Sequence, residues 1–170
     1  MPGLPPPRHS GEYSVVLVCL GNICRSPVAD VVLTARVAEA GLDDVVRVDS
    51  GGTGSWHVGD VMDTRSAATL VAAGYDPDRH RARHFDGDWL RRADLVLTMD
   101  RSNHADVLAL AAPEDVARVR LFGDFDPTDV GGEVPDPYYG GPSGFTDVLA
   151  RVERTCDRLV AHLAAELVRS

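Results

Sequence analysis

Two spacings of apolar residues alternate along the chain. Ser14-Val15-Val16-Leu17-Val18-Cys19, Val45-Val46-Arg47-Val48 and Asp94-Leu95-Val96-Leu97-Thr98-Met99 are short, nearly continuous apolar runs. Runs of this kind predict strands buried on both faces. Ala117-Arg118-Val119-Arg120-Leu121-Phe122 alternates instead and predicts an edge strand. Helical spacing fills the intervals. Ser26 as N-cap and Pro27 at the first helical position open one helix, which Gly41 closes. Asp63 caps a segment ending near Gly74, and another helix follows Asp100 over Ser102 to Ala111. Last, Phe145, Val148, Leu149, Val152, Cys156, Leu159, Val160 and Leu163 line one face of a long helix whose expected cap is Ser143. Strands alternating with helices predict a single-domain, three-layer α/β fold: a four-stranded parallel sheet with helices on both faces. Ligands of such folds sit beyond the carboxyl ends of the strands, which points to the loop after the first strand, Leu20 to Arg25.

The chain has 170 residues, enough for one domain with a real core. The first 12 residues are rich in proline and are expected to form a disordered tail, with the domain running from 13 to 170. That tail lacks the apolar stretch of a secretory signal. All 17 basic residues are arginine, so chemistry that needs a lysine is excluded: GxxxxGK[ST] nucleotide binding and Schiff-base catalysis. A net charge of −9 argues against nucleic acid as a partner. No apolar run approaches the roughly 18 residues of a membrane span, and no membrane partner is expected. Three cysteines do not make a disulfide framework, so a cytoplasmic location is the default.

The chemistry concentrates in Cys19-Leu20-Gly21-Asn22-Ile23-Cys24-Arg25-Ser26-Pro27. A loop curling from a strand into a helix N-terminus aims consecutive backbone N–H groups at one point, which makes an anion site. Gly21 permits a turn with positive φ, and Asn22 tolerates one. Helix N-termini and arginines lower a thiol pKa from about 8.5 toward roughly 3.5–7.5, favouring thiolate at Cys19. Arg25 offers a planar fork for two phosphate oxygens. The expected reaction is displacement at phosphorus, giving a phosphocysteine that water hydrolyses. A structural C-x4-C zinc pair is the competing reading, but His57, His80 and His84 give it no convincing further ligands. No metal or cofactor is expected.

CLGNICRSP, with DPYYG far downstream, resembles the low-molecular-weight protein tyrosine phosphatases, and Ser50 to Gly59 resembles a loop of their bacterial members. The resemblance implies hydrolysis of protein phosphotyrosine, with Cys19 as nucleophile, Arg25 as phosphate clamp and Asp136 as general acid and base. It implies a phosphate cradle of Leu20, Gly21, Asn22, Ile23, Cys24 and Ser26, with Ser26 steadying the thiolate. It also implies an aryl slot walled by Trp56, Tyr138 and Tyr139. Asn22 and His80 resemble residues that brace the loop, and Cys24 one that pairs reversibly with an oxidised nucleophile. The implied partners are phosphotyrosine proteins and a kinase acting on Tyr138 or Tyr139; the protein is expected to be a monomer. Asp124, Asp126 and Asp129 match no motif and read as solvated loop charges, and Cys156 reads as core. Three alternatives stay open. A protein arginine phosphatase would carry threonine at Ile23, and an arsenate reductase would need further redox cysteines. A non-catalytic phosphotyrosine-binding module would need neither nucleophile nor acid.

Overall fold

A computed structural model describes residues 3–138 and 140–167. Strands β1 (Tyr13–Cys19), β2 (Val46–Gly52), β3 (Leu95–Thr98) and β4 (Val119–Leu121) form one parallel sheet in the order β2-β1-β3-β4. Helices are α1 (Arg25–Glu39), α2 (Thr64–Ala72), α3 (Gly87–Arg92), α4 (Arg101–Leu108) and α5 (Pro142–Leu167). Side chains of β1 alternate between the two faces, as a pleated strand requires. Tyr13, Val15, Leu17 and Cys19 enter the core formed with α1 and α5, among them Val32, Leu33, Val152 and Leu159. Val16 and Val18 enter a smaller core with Phe85, Leu90 and Val107, which α3 and α4 supply in part. The expected three layers are therefore present.

Several boundaries moved for local reasons. β2 runs on to Gly52, four residues past its apolar run, because Ser50, Gly51 and Gly52 pair with Leu17, Val18 and Cys19. β4 keeps only three residues because 3-10 turns at Pro113–Arg118 and Phe122–Phe125 enclose it. Helix α1 starts at Arg25, so Ser26 is not its cap; Cys24 holds that position without a side-chain bond. Asp63 and Asp100 cap α2 and α4, accepting from Arg65 and Ser66 and from Asn103 respectively. α5 begins at Pro142, which puts Ser143 inside the helix. α3, too short to show a period in the sequence, is set by the Asp86 cap, which accepts from the N–H groups of Asp88 and Trp89.

The proline-rich segment, expected to be disordered, lies along the body as an extended strap. Pro5 C=O accepts from the buried Tyr13 hydroxyl at 2.9 Å, and Leu4 N–H donates to the Glu166 carboxylate at 2.9 Å. Arg8 donates to the carbonyls of Ala93 (2.8 Å) and Leu90 (3.1 Å) at the end of α3 and to Asp115 (2.7 Å). Proline composition alone hid these anchors, because most of them join single polar groups to partners far along the chain.

Candidate active site

β1 delivers Cys19 to the carboxyl edge of the sheet, and the chain turns through 20–24 into α1. Asn22 makes the turn with φ of 56°, the left-handed region that asparagine tolerates. Gly21 is needed for a different reason than the expected positive φ. A Cβ there would come within 3.1 Å of the His57 ring. Gly52 likewise admits close backbone approach, since a Cβ would lie 2.7 Å from the Leu20 carbonyl oxygen.

Donors from outside the loop hold four of its carbonyls. Thr53 N–H donates to Cys19 (2.9 Å), Gly54 N–H to Leu20 (2.9 Å), His80 Nε2 to Asn22 (2.6 Å) and Asp63 N–H to Ile23 (2.9 Å). With these carbonyls turned outward, the N–H groups of Gly21 to Cys24 meet no acceptor among the described residues. Those of Arg25 and Ser26 open α1, where the helix leaves its first donors unpaired. The result is a cradle of donors for an oxyanion.

The Asn22 side chain is buried and fully engaged. Its Oδ1 accepts from Arg83 N–H (2.9 Å), and its Nδ2 donates to Ser26 Oγ (2.9 Å) and Ser50 Oγ (3.0 Å). Because Ser26 Oγ accepts from Asn22, its own proton is available to Cys19 Sγ, 2.9 Å away. This is why Ser26 is not spent as a helix cap. A carbonyl only accepts, so Nε2 of His80 carries a proton. Burial holds the His80 pKa below the ordinary histidine value, opposed by its bond to Asn22 and aided by the charges of Arg83 and Arg81.

Arg25 is 4% exposed at its side chain. Its Nη1 donates to Asp100 Oδ2 (2.6 Å) and to the Val134 carbonyl (3.0 Å). Burial acts to lower its pKa, but the Cys19 sulfur, Asp100 and Asp136 raise it, so it stays charged. The sequence places Asp100 just before a helix; its cap bond to Asn103 and its second oxygen, turned to Arg25, appear only in the fold. Asp136 Oδ2 lies 3.7 Å from Arg25 Nη2, and its side chain is 45% exposed. Its Oδ1 accepts from Tyr138 N–H at 3.0 Å.

Cys19, Leu20, Gly21, Ile23, Cys24, Arg25, Trp56, His57, Asp136 and Tyr138 enclose a cleft of about 240 Å³. Trp56, 73% exposed, stands at the mouth with its ring laid on Gly54, where a side chain would collide with it. Tyr139 lies outside the described residues. Cys24 is buried and its thiol is pushed up to about 12, by burial first and then by the Asp63 charge, so it is protonated at neutral pH. Cys19, Cys24 and Cys156 are all free thiols; Cys156 is core, as expected. A larger groove of about 510 Å³, lined in part by Tyr13, Arg47, Trp89 and Asp94, lies by the opposite strand ends and contains no cysteine. Among the described residues no group of three His, Cys, Asp or Glu side chains could hold a metal ion.

A sulfur held under a serine hydroxyl, beside a buried arginine and a run of backbone N–H groups that meet no acceptor among the described residues, defines a class of α/β proteins that hold an oxyanion against a thiol. Comparisons with known proteins narrow the class. Residues 14–169 match the family model described as low molecular weight phosphotyrosine protein phosphatase, and the chain belongs to that family. It is 48% identical over 153 residues to a low molecular weight protein-tyrosine-phosphatase of Streptomyces coelicolor, covering 88% of this chain and 92% of that one. It is 46% identical over 146 residues to low molecular weight protein-tyrosine phosphatase A of Mycobacterium tuberculosis, covering 85% and 87%. The crystal structure of a protein tyrosine phosphatase from Entamoeba histolytica superposes with a TM-score of 0.87 at 32% identity, covering 91% and 98%.

Proposed function

We propose that the chain hydrolyses phosphotyrosine in proteins through a cysteinyl-phosphate intermediate. One arrangement carries the reading: Cys19 Sγ beneath the Ser26 hydroxyl, in a loop whose carbonyls are held outward, with Arg25 beside it. The N–H cradle and Arg25 bind three phosphoryl oxygens. The Cys19 thiolate attacks phosphorus, the P–O bond to the aryl group breaks, and Asp136 gives its proton to the departing phenolate. In the second half, Asp136 takes a proton from water, which attacks phosphorus; the P–S bond breaks and the thiolate returns. Ser26 donates to the sulfur when it is anionic, which favours it as a leaving group.

Trp56 and Tyr138, both lining the cleft, are read as the walls of an aryl slot, which would favour phosphotyrosine over the shorter phosphoserine. Ile23 in the cradle supplies no polar contact of the kind an arginine phosphatase would use. The finer parts of the reading are a monomer acting in the cytoplasm and a kinase that modifies Tyr138 or Tyr139. Three free thiols fit a reducing compartment, and a rim tyrosine fits a kinase substrate. No described helix is long and apolar enough to cross a membrane. The test is steady-state hydrolysis of a phosphotyrosyl peptide beside its phosphoseryl and phosphoarginyl counterparts. Turnover confined to phosphotyrosine and abolished by Cys19→Ser is expected; full turnover by Cys19→Ser removes the proposal.

A further inference from the structure

Arg65 stands outside the reacting groups but spans the two loops that carry them. Its Nε and Nη2 donate to the Asp63 carboxylate at 3.3 and 3.1 Å, and Asp63 N–H donates to the Ile23 carbonyl of the phosphate loop at 2.9 Å. Burial pushes the Asp63 carboxyl up, but Arg65 and the backbone N–H groups of Ser66 and Arg65 outweigh it and hold the group below its ordinary value. Asp63 is therefore a charged anchor, fixed directly to the cradle.

The other side of the Arg65 guanidinium faces the acid loop. Its central carbon lies 5.2 Å from the Tyr138 ring centroid and 4.7 Å from that of Phe145, near the start of α5. Both distances are within reach of a cation–π contact. Tyr138 in turn sends its backbone N–H to Asp136 Oδ1 at 3.0 Å. A continuous path thus runs Ile23, Asp63, Arg65, Tyr138, Asp136. Only a planar fork can lie against two rings while gripping a carboxylate along its edge, so lysine is a poor substitute.

We infer that Arg65 is a positioning residue that couples the phosphate loop to the acid loop, holding the Tyr138 wall and, through Tyr138, the Asp136 carboxylate over the cleft. The inference rests on the hydrolase reading above and gives it a residue that touches neither phosphate nor nucleophile. Its loss should spare phosphate binding and weaken proton delivery to the leaving group.

Two substrates and a double-mutant cycle test it. Phenyl phosphate needs the acid; para-nitrophenyl phosphate, with a far better leaving group, needs it little. Arg65→Ala should lower kcat/KM on phenyl phosphate about 5- to 30-fold, the worth of two cation–π contacts to a half-exposed guanidinium, with less than about a 2-fold change on the nitrophenyl ester. Competitive inhibition by inorganic phosphate should not move. Arg65→Lys should recover only part of the loss. In a Tyr138→Leu background, Arg65→Ala should cost almost nothing further, since its effect runs through Tyr138. Equal losses on both substrates, weaker phosphate inhibition, or full additivity with Tyr138→Leu would overturn the role. Turnover by the unmodified protein that depends on Cys19 but is indifferent to Arg65→Ala refutes this inference alone. Absence of such turnover refutes the hydrolase reading, and this role with it.

Discussion

Between Cys19 and Ser26 the carbonyls and the polar side chains are held, mostly from outside the loop, while the N–H groups are left for the ligand: four carbonyls by four donors, the Asn22 side chain by Arg83, Ser50 and the loop's own Ser26, the Arg25 guanidinium by Asp100 and a carbonyl. Between Val134 and Phe145 the bonds of the described residues leave the acid itself more lightly tied. Val134 bonds Met99 and Arg25, and Tyr138 turns back onto Asp136, whose side chain is 45% exposed. The contrast follows from the two tasks. Binding a doubly charged phosphoryl group requires dipoles fixed beforehand, so that no reorganisation is needed as charge develops. A proton donor that reloads each turnover requires contact with water. The phosphate loop is stiff and buried for the first purpose, and the acid loop is exposed for the second.

Substitutions at three positions should separate the loops, in descending order of effect. Arg25→Lys keeps the charge but loses the fork, and kcat/KM on a phosphotyrosyl peptide should fall by at least about 10³-fold, the scale of an arginine that stabilises phosphoryl transfer. A loss under tenfold would mean that the fixed guanidinium is dispensable and would break the contrast. Asp136→Ala should lower kcat/KM on phenyl phosphate, which reports the half-reaction that expels the leaving group, by about 10²- to 10⁴-fold, and that on a substrate with a low-pKa leaving group much less. Its thermal unfolding should stay within about 0.5 kcal/mol of the parent, as for an exposed residue. Matching losses on both substrates would remove the acid assignment. Asn22→Gly retains access to the left-handed conformation but discards the side-chain bonds, whereas Asn22→Ala discards both. Turnover should drop about 10- to 100-fold in each, an estimate from one to two buried hydrogen bonds, with the alanine variant the less stable in denaturant titration. Equal stability would show that backbone strain is absent at φ of 56°.

The same contrast explains what could be read from the sequence. The phosphate loop was legible because its chemistry is contiguous: nucleophile, turn residues, clamp and helix start lie within nine positions. The period of β1 and of α5 was legible because each is buried along its length. Less legible were contacts between residues far apart, each made by a side chain whose local pattern suggested something else or nothing. The local pattern reads Ser26 as a helix cap, and only the family resemblance pointed to the Cys19 sulfur that it serves. Asp100 reads only as the residue before a helix; it caps that helix and serves Arg25 as well. The strap reads as a tail, and Arg65 carries no local signal at all. The most instructive failure is Asp126, read as a solvated loop charge: its side chain is wholly buried, between Arg151 and Arg154 of α5. A single aspartate in a Gly- and Asp-rich stretch carries no local signal that two arginines 25 and 28 residues on will enclose it.

That buried carboxylate gives the prediction with the smallest effect on turnover. Asp126 lies in the segment leading from β4 toward the acid loop, and bonds to Arg154 at 2.8 and 2.9 Å bind the segment to α5. Burial acts to raise its pKa, but hydrogen bonds from Arg154 and Thr128 prevail and hold it down to about 2. A carboxyl lower in the folded than in the unfolded chain adds stability that is complete above the unfolded value, near 4. That stability is lost as pH falls toward about 2. The contribution at neutral pH is about 2 kcal/mol, and Asp126→Asn should lower the melting temperature by about 4–8 °C at pH 7. At pH 2 the parent and the variant should melt closer together, since the parent's carboxyl is then about half protonated and most of its contribution is gone. Because the pair anchors the acid-loop side and not the cradle, inorganic phosphate should inhibit both proteins equally. A variant with weakened phosphate inhibition would show that the two loops are one mechanical unit, and the division between a fixed cradle and a lightly held acid would fall.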